Sequence, residues 1–459
     1  MWLETPQLVW PASASRGAAG RTTAPWPERH RTVLALLLAG LALGLTAALV
    51  PWLRDAAALA LPDSAGGAVG PAWYWAAGRE LLAAYLALGL LPFLVCVLWR
   101  LLPAPAVPTR PYMPLASVIV PAFNEQDGIQ TCISALLAQD YPLLEILVVD
   151  DGSADLTAAL VEGTPVRLVR MPANGGKAAA LNAGLAAARG TVVVCSDGDS
   201  RLDRLAVSRL VAHFADPAVG AVAGLIVPEE GPGLLGAWQS IEYLFGQVIV
   251  KEAQIGAGGS VLLGPGPVTA FRRDTLLALG GFTDRTLAED FDATLAVLAQ
   301  GRRVAYEPAA VAYTDVPRDW RTLCRQRLRW SRGHLQVFHV WHDHVLRRGA
   351  GWSGNFWLPY YALVGIALPM VEPLLVLAVL GMFLAHPGLA AASLPGALGA
   401  ALLLELLTIG QLAVALAVAG ERRPRLWLAA LLSRPFMLVL AWTRLRAVLH
   451  TLRGRARAW

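Results

Sequence analysis

Two long stretches without any charged side chain limit what this chain can fold into. Thr32–Leu53 runs for 22 residues without a charge, and Leu81–Trp99 is a second charge-free stretch that ends at Arg100. A helix of about 20 apolar residues can cross the hydrocarbon core of a bilayer. The composition agrees, because 56% of the 459 residues are hydrophobic, only 15% are charged, and the mean hydropathy is +0.51. We therefore expect a membrane protein that carries a soluble domain.

The basic residues predict how these two spans are oriented. Arginines flank both spans at Arg16, Arg21, Arg29, Arg31, Arg100 and Arg110. Because basic flanks stay in the cytoplasm, the two spans form a hairpin that returns the chain to the cytosol. The first span is too long for a signal-peptide core, so we interpret it as an anchor. The net charge of +5 fits a membrane surface better than a nucleic acid, so no nucleic-acid partner is expected.

The composition divides the chain into five parts. These are a loose basic segment at 1–31, a transmembrane hairpin at 32–102, a proline-rich linker at 103–114, a domain at 115–350, and a membrane region with a basic tail at 351–459. In the last part, Phe356–Leu384 and Leu394–Ala419 are predicted spans. Leu426–Trp442 is interrupted by Arg434-Pro435 and is either a third span or a re-entrant or interfacial hairpin. The sequence leaves both alternatives open, and with them the side of the tail.

In the domain at 115–350, short β-branched segments alternate with alanine-rich helical segments. This alternation is typical of a parallel sheet covered by helices. The predicted strands are Ser117–Pro121, Glu145–Asp150, Val166–Arg170, Thr191–Ser196 and Val219–Val227. The predicted helices lie near Gly128–Gln139, Leu156–Glu162, Lys177–Arg189 and Leu205–Phe214.

The fourth predicted strand ends in two carboxylates, Asp197 and Asp199, with a single glycine between them. Ligands bind at the carboxyl ends of strands in open α/β sheets. Two carboxylates there suit Mg²⁺ or Mn²⁺, whereas a turn with solvated aspartates is the alternative for this pair alone. Neither a zinc site nor a disulfide framework is expected, because the four cysteines lie far apart in sequence.

Further polar motifs follow other predicted elements. PAFNE at 121–125 and VVDDGS at 148–153 end two strands, and NGGK at 174–177 places a glycine turn and a lysine at the start of a helix. Such a turn suits a phosphate or a nucleotide. EDFD at 289–292 opens a later helix, and QRLRW at 326–330 lies in a basic segment. Each motif alone also fits ordinary capping, helix-dipole or lipid-surface chemistry.

In this order, the motifs resemble those of the family 2 glycosyltransferases. The resemblance implies an α/β cytosolic domain with a GT-A (nucleotide-diphospho-sugar transferase) fold, together with an α-helical transmembrane bundle. QxxRW makes the chain similar to the processive synthases of cellulose, chitin, hyaluronan and poly-N-acetylglucosamine. Among these synthases, the FRRD motif at 271–274 and the QRLRW form make the chain most similar to the poly-N-acetylglucosamine synthases. LGPGP at 263–267 stands where cellulose synthases carry a cysteine-containing stretch, which argues against a cellulose product.

The resemblance implies a donor site built from five residues. Asp151 would contact the uracil or ribose of the nucleotide, with Lys177 nearby. Asp197 and Asp199 would bind Mg²⁺ or Mn²⁺ on the diphosphate, and Asp197 also belongs to the nucleotide-sugar site. Arg329 would bind the diphosphate as a permanently charged donor.

The acceptor side follows from the same resemblance. Asp290 would be the general base that takes the proton from the acceptor hydroxyl. Trp330 would offer a flat apolar surface to the acceptor sugar, and Gln326 would supply hydrogen bonds. The roles of Glu289 and Asp292 are left open.

The implied function is an inverting hexosyltransferase that polymerises a UDP-sugar into a β-linked polysaccharide and extrudes it. The predicted donor is UDP-N-acetylglucosamine, with UDP-glucose, or UDP-glucuronate plus N-acetylglucosamine, as competitors. The partners would be the donor, the growing polysaccharide and the lipid bilayer, and a small membrane partner subunit is left open. The enzyme would be a multi-pass plasma-membrane protein with a cytoplasmic catalytic domain. The alternatives are a glycosyltransferase that adds one sugar to a lipid carrier and a non-catalytic membrane scaffold.

Three polar residues interrupt the predicted C-terminal spans. They are Glu372, Glu405 and Gln411. Such residues are costly inside a bilayer and face a cavity or another helix. They would line a polymer path or, for Gln411 above all, bind a neighbouring helix.

Overall fold

The structure is a computed structural model of the chain. It describes residues 72–101, 112–370 apart from 230 and 232, and 408–453, together with 384, 398, 402, 405 and 406. In the first of these ranges, side chains are described from residue 87 onward. The predicted span Thr32–Leu53, the segment 1–31, Glu372, and most of the chain from 371 to 407 lie outside the described residues. The domain boundaries given above therefore stay predictions.

A mixed sheet forms the centre of the domain. Its described strands are β1 Ala116–Ala122, β2 Leu144–Asp150, β3 Arg167–Arg170, β4 Val192–Cys195, β5 Ser200–Leu202, β6 Val219–Pro228, β7 Thr269–Arg272 and β8 Arg303–Thr314. Their order across the sheet is β3-β2-β1-β4-β7-β6-β8-β5. All five predicted strands are confirmed.

The sheet departs from the predicted all-parallel pattern at two strands. β3, β2, β1 and β4 are paired in parallel, as expected. β7 runs antiparallel to both β4 and β6, and β5 runs antiparallel to β8. β5 and β7 are only three and four residues long, too short for a periodic sequence signal. β7 also overlaps the FRRD motif at Phe271 and Arg272, and the sequence analysis interprets that motif as a family marker rather than as a strand.

Helices cover both faces of this sheet. The described helices of the domain are α2 Ile129–Leu137, α3 Thr157–Glu162, α4 Lys177–Ala187, α5 Ala206–Ala212, α6 Gly233–Leu244, α7 Lys251–Gly258, α8 Arg273–Ala278, α9 Glu289–Ala299 and α10 Trp320–Val340; they follow α1 Ala72–Leu101. Neighbouring β1 residues alternate between two cores, with Val118 and Val120 packed towards α2 and α5 and Ile119 towards α4. The first four helices after the linker are confirmed near their predicted positions.

A third core joins the domain to apolar helices. These are α1, α11 Leu358–Tyr360 with its flanking π-helical turns Ser353–Trp357 and Tyr361–Ala367, α12 Thr408–Val418, α13 Pro424–Leu431 and α14 Arg434–Leu452. Arg100 on α1 pairs with Glu252 on α7 at 2.6 Å. Trp238 on α6 donates to the Ala429 carbonyl at 2.8 Å and stacks on Phe436. The domain and these helices therefore share buried contacts.

The predicted transmembrane bundle has only partial counterparts among the described helices. No single helix in the described part is long and apolar enough to span a bilayer. Pro424–Leu431 and Arg434–Thr451 pass the length and composition test together, with a bend of 64° between them. The break falls at Leu432-Ser433, directly before the Arg434-Pro435 at which the sequence analysis places the interruption.

Two of the polar residues of the predicted spans have partners. The carboxylate of Glu405 forms an ion pair with Arg434 at the start of α14. Gln411 on α12 packs against α1, where a methyl group added at Gly89 would lie 2.9 Å from its amide nitrogen. Both side chains thus contact neighbouring helices, which is the second of the two predicted roles.

Candidate active site

The glycine turn after β3 is held by Asp151. Asp151 follows β2 and is buried, and its two carboxylate oxygens accept hydrogen bonds from the backbone N–H groups of Gly175 at 2.7 Å and Gly176 at 2.8 Å. α4 then begins at Lys177 without a side-chain cap of its own. Asp151 therefore satisfies the free N–H groups that precede this helix. A direct contact of Asp151 with the nucleotide stays a prediction.

Three carboxylates crowd the loop between β4 and β5. Glu125, at the end of the PAFNE motif, packs its side chain against Gly198 between Asp197 and Asp199. Burial and then the neighbouring Asp199 and Asp197 raise the pKa of Glu125 to about 7. Burial and Asp197 also raise the pKa of Asp199. The loop therefore carries an excess of negative charge that a cation would relieve.

Lys177 links this loop to the start of α9. Its ammonium lies 2.7 Å from an Asp197 oxygen and 3.4 Å from Glu289. Burial alone would lower the pKa of Lys177, but the surrounding carboxylates, led by Asp197 and Glu289, raise it well above its ordinary value. The lysine is therefore cationic, and it brings two separate acidic motifs of the sequence into one cluster.

Asp290 lies in the same cluster. One of its oxygens accepts a hydrogen bond from the Gly266 N–H at 3.0 Å, and the other accepts from Phe291 N–H at 2.8 Å. Burial and Glu289 raise the pKa of Asp290. A methyl group at Gly266 would lie 2.9 Å from the Lys177 ammonium and 3.7 Å from the Asp197 oxygens, so this loop borders the cluster directly. A carboxylate with a raised pKa is suited to take up a proton near neutral pH.

Asp292 has a different environment from Asp290. It is buried and accepts hydrogen bonds from Arg285 at 2.7 and 2.8 Å, from Trp341 at 2.6 Å and from Thr283. Burial opposes ionisation, but these donors keep the pKa of Asp292 below its ordinary value. Asp292 therefore fixes the first turn of α9 to the preceding loop and to the residue that follows α10.

α10, which carries QRLRW, packs directly on the loop that precedes Asp290. A methyl group at Gly333 would lie 2.9 Å from the Ala288 Cβ and 3.1 Å from the Ala288 nitrogen. The side chain of Gln336 also accepts a hydrogen bond from the Leu287 N–H at 2.8 Å. The predicted base and the predicted acceptor helix thus meet through a contact that only glycine permits.

The QRLRW side chains are arranged around Arg327. This residue is buried, with 3% of its surface exposed, and its guanidinium pairs with Glu242 on α6 at 2.6 Å. The same guanidinium lies 4.3 Å from the ring centroid of Trp330 and contacts the amide oxygen of Gln326. We call Arg327 and Glu242 together the arginine clamp.

Trp330 and Arg329, both predicted to bind ligands, have different surroundings. The Tyr243 ring stands edge-on to Trp330 with centroids 6.2 Å apart. Burial raises the pKa of Tyr243, whereas the nearby Arg327 guanidinium acts to lower it. Arg329, by contrast, forms no hydrogen bond or ion pair with any described residue. Its guanidinium is therefore available to an anionic ligand.

A cavity of about 120 Å³ lies beside Trp330. It is bounded by α10, by the π-helical turn at Tyr361 and by α14, and its lining includes Glu242, Arg327, His334, Tyr361 and Arg444. Because α14 belongs to the bent apolar pair, the cavity lies between the QRLRW helix and the apolar C-terminal helices.

The sequence alone missed several residues that build this site. Glu125, Glu242 and Arg327 were given no role, and Asp292 was left open. Glu125 and Arg327 belong to the motifs PAFNE and QRLRW, which offered a signal. Glu242 lies in an apolar helix 85 residues before its partner, so no local pattern connects the two.

Comparisons with known proteins agree with this geometry. Residues 117–277 match the model of glycosyl transferase family 2. The chain is 32% identical over 224 residues to a poly-beta-1,6-N-acetyl-D-glucosamine synthase of Staphylococcus aureus (strain MSSA476). The aligned region covers 48% of this chain and 54% of that protein. It is 33% identical over 242 residues to the probable glycosyltransferase YdaM of Bacillus subtilis (strain 168), covering 49% of this chain and 56% of that one. The chain thus spans about half the length of these curated relatives.

A solved structure resembles the chain over a greater length. The mannosyltransferase PcManGT from Pyrobaculum calidifontis, in complex with GDP-Man and Mn²⁺, superposes with a TM-score of 0.64 at 27% identity. The match covers 83% of this chain and 99% of that one. Together with the family match over residues 117–277 and the mixed sheet, this likeness shows that the domain has a GT-A fold and is similar to the glycosyl transferase family 2 model.

Proposed function

We propose that the protein is an inverting glycosyltransferase that polymerises a nucleotide-activated sugar, UDP-N-acetylglucosamine in the first place, into a β-linked polysaccharide. The observation that carries this proposal is the contact of α10 with the loop before Asp290. This contact brings the helix that carries Gln326 and Trp330 next to the start of α9, whose Glu289 pairs with Lys177. Such a site suits sugar transfer from a charged donor to a flat sugar acceptor.

The donor half would bind the diphosphate through opposite charges. Asp197 and Asp199 are suited to hold Mg²⁺ or Mn²⁺ together with oxygens of the donor, and the pKa of Asp199 is raised even though Lys177 already pairs with Asp197. No cluster of three or more ligating side chains encloses a metal site in the described part of the chain, so donor oxygens would complete the coordination. When bound, the ion neutralises charge on the departing nucleotide. Arg329 supplies a permanently charged donor to the same diphosphate.

Asp290 would act as the base in a single displacement. It takes the proton from the acceptor hydroxyl while that oxygen bonds to the anomeric carbon and the nucleoside diphosphate leaves. The raised pKa of Asp290 favours this proton transfer near neutral pH. The reaction needs one base and no covalent intermediate with the enzyme.

The acceptor half supports growth of a polymer. Trp330 presents an aromatic ring to a sugar, and the cavity beside it extends the site towards the apolar helices. We propose that this side accepts the growing chain and leads it to the membrane. The catalytic domain would then lie on the cytoplasmic face of the plasma membrane, with α1 and the C-terminal helices in or on the bilayer. A small membrane partner subunit is compatible with this arrangement.

The test is a donor screen followed by sizing of the product. The full-length protein, purified in detergent, is incubated with UDP-N-acetylglucosamine, UDP-glucose, UDP-glucuronate plus UDP-N-acetylglucosamine, or GDP-mannose, each with Mg²⁺ or Mn²⁺. GDP-mannose is included because PcManGT was solved with GDP-Man. We expect release of UDP and a long polymer from UDP-N-acetylglucosamine.

Other products would change the proposal in defined ways. A single sugar transferred to an added polyprenyl phosphate would favour the lipid-carrier alternative. If the protein turned over GDP-mannose and no UDP-sugar, the proposed donor would be GDP-mannose instead of UDP-N-acetylglucosamine. No turnover of any donor, by protein that still unfolds cooperatively, would favour the non-catalytic scaffold.

A further inference from the structure

The buried charge of Arg327 needs an explanation beyond helix packing. Arg327 is 3% exposed, whereas its neighbours Arg325 and Arg329 on α10 keep contact with solvent. Removing an arginine from water is costly unless its charge and its N–H groups are satisfied. Glu242 satisfies them from another helix, with two oxygens within 3.2 Å of the Arg327 Nε and a contact of 2.6 Å to Nη2.

The remaining faces of this guanidinium contact two residues of QRLRW. Its central carbon lies over the Trp330 ring, 4.3 Å from the centroid, and another N–H donates to the amide oxygen of Gln326. A guanidinium can only donate hydrogen bonds, so the atom of Gln326 that faces it must be the carbonyl oxygen. The NH₂ group of Gln326 therefore points away from Arg327 and remains a donor.

We propose that the arginine clamp of Arg327 and Glu242 is a positioning device for the acceptor, which fixes the Trp330 ring and presents Gln326 as a hydrogen-bond donor to an acceptor-sugar oxygen. This inference rests on the proposed function. It adds the direction of the hydrogen bond, in which the Gln326 NH₂ group donates and the acceptor sugar accepts. It also assigns a role to Glu242, which lies outside every motif of the sequence. Neither clamp residue contacts the acidic cluster in the hydrogen bonds and ion pairs of the described residues.

The clamp makes a specific prediction for steady-state kinetics. In Arg327→Gln, we expect the acceptor KM to rise by about tenfold or more, because a charge-assisted hydrogen bond and the fixed ring position are lost. Donor hydrolysis without acceptor, measured as release of nucleoside diphosphate, should stay close to the wild-type rate. Arg327→Lys should behave almost as poorly, since an ammonium keeps the charge but not the planar bidentate contact.

The experiment uses the full chain in detergent, UDP-N-acetylglucosamine as donor, and a short β-linked N-acetylglucosamine oligosaccharide as acceptor. Arg325→Gln is the matched control, because Arg325 lies on the same helix and is exposed, and its hydrogen bond among the described residues is to Thr322 at 3.3 Å. A double variant, Arg327→Met with Glu242→Leu, guards against misfolding, since replacing both partners of a buried ion pair by apolar residues is tolerated. It should unfold at a temperature close to wild type and still show the raised acceptor KM.

The outcomes separate the clamp from the proposed function. If the wild type is active and the Arg327 variants have the same acceptor KM as Arg325→Gln, the proposed role of the arginine clamp is wrong. The assignment of the protein as an enzyme then still stands. Equal losses in donor hydrolysis and in transfer would also overturn it, because they indicate general damage. If the wild type turns over none of the four donors of the screen, the proposed function fails and the clamp's role fails with it.

A final variant tests the polarity of Gln326. Gln326→Glu would place a carboxylate against Arg327 and remove the NH₂ donor, so the acceptor KM should rise while the clamp itself stays closed. An unchanged acceptor KM in this variant would overturn the assignment of Gln326 as a donor.

Discussion

The donor half and the acceptor half of the site are built in different ways. In the donor half, Asp151, Asp197 and Lys177 lie at strand ends or at the start of a helix that follows a strand, and their contacts join neighbouring loops. In the proposed acceptor half, Gln326 and Trp330 lie on a 21-residue helix that packs on the loop before Asp290, and the Arg327 guanidinium beside them pairs with Glu242. The first half is determined by the sheet, and the second by packing between helices.

The two halves therefore differ in what a substitution does. The partly exposed Asp197 can be changed with little effect on packing, so its loss should appear in chemistry or metal binding. A residue on α10 can alter the position of the helix, so its loss should appear in stability and catalysis together. The following experiments use this difference, beginning with the largest expected effect.

Replacing the base should have the largest effect. We expect Asp290→Asn to lower kcat by about 10²- to 10⁴-fold, which is the usual contribution of a general base. Donor KM should change little, because Asn keeps the size of the side chain. The measurement is nucleoside diphosphate release at saturating substrates, with the exposed Asp343→Asn as control. Unchanged turnover in Asp290→Asn would contradict the assignment.

Replacing a carboxylate of the β4–β5 loop should change the metal dependence. In Asp197→Asn, the Mn²⁺ concentration for half-maximal activity should rise by more than about tenfold, a loss that even residues supporting a metal ligand can cause. Wild-type activity should disappear with EDTA and return when Mn²⁺ or Mg²⁺ is added. If the metal titration of the variant is the same as that of the wild type, Asp197 pairs with Lys177 and does not bind the metal.

Gly333→Ala tests the contact between the two halves. The added methyl group would lie 2.9 Å from Ala288 Cβ, and such overpacking costs about 1–3 kcal/mol. We expect a lower Tm and a lower kcat together. Gly246→Ala is the matched control, because Gly246 is also helical and nothing lies within 4 Å of the added carbon. If both variants keep wild-type Tm and kcat, the contact is not needed to hold α10 in place.

The pH dependence of the rate should give the smallest effect. Burial and Glu289 raise the pKa of Asp290, and the base acts only when it is deprotonated. As the pH falls, kcat should therefore begin to decline at a higher pH than an ordinary aspartate would produce. A profile of kcat against pH measures this decline. A flat profile down to the pKa of an unperturbed aspartate would show that solvent reaches Asp290 freely in the working enzyme.

The sequence predicts the two halves unequally for the same physical reason. The five predicted strands and the acidic residues at their ends depend on local patterns, and Lys177, Asp197 and Asp290 do meet in one cluster. β5 and β7 are too short to leave such a pattern. Glu242 and Gly333 act through contacts between helices that are distant in sequence, which no periodicity reveals. The apolar segments predict helices, but the single-sequence pattern does not determine how α13 and α14 bend at Arg434.

The direct contact of Gly333 with Ala288 has a consequence for selectivity among acceptors. α10 cannot turn or slide without moving the first turn of α9, where Asp290 lies. An ill-fitting sugar that displaces Trp330 would therefore also misalign the proton-accepting carboxylate. Poor acceptors should consequently react slowly even when they saturate the protein, so that discrimination is made in the speed of transfer as well as in the strength of binding.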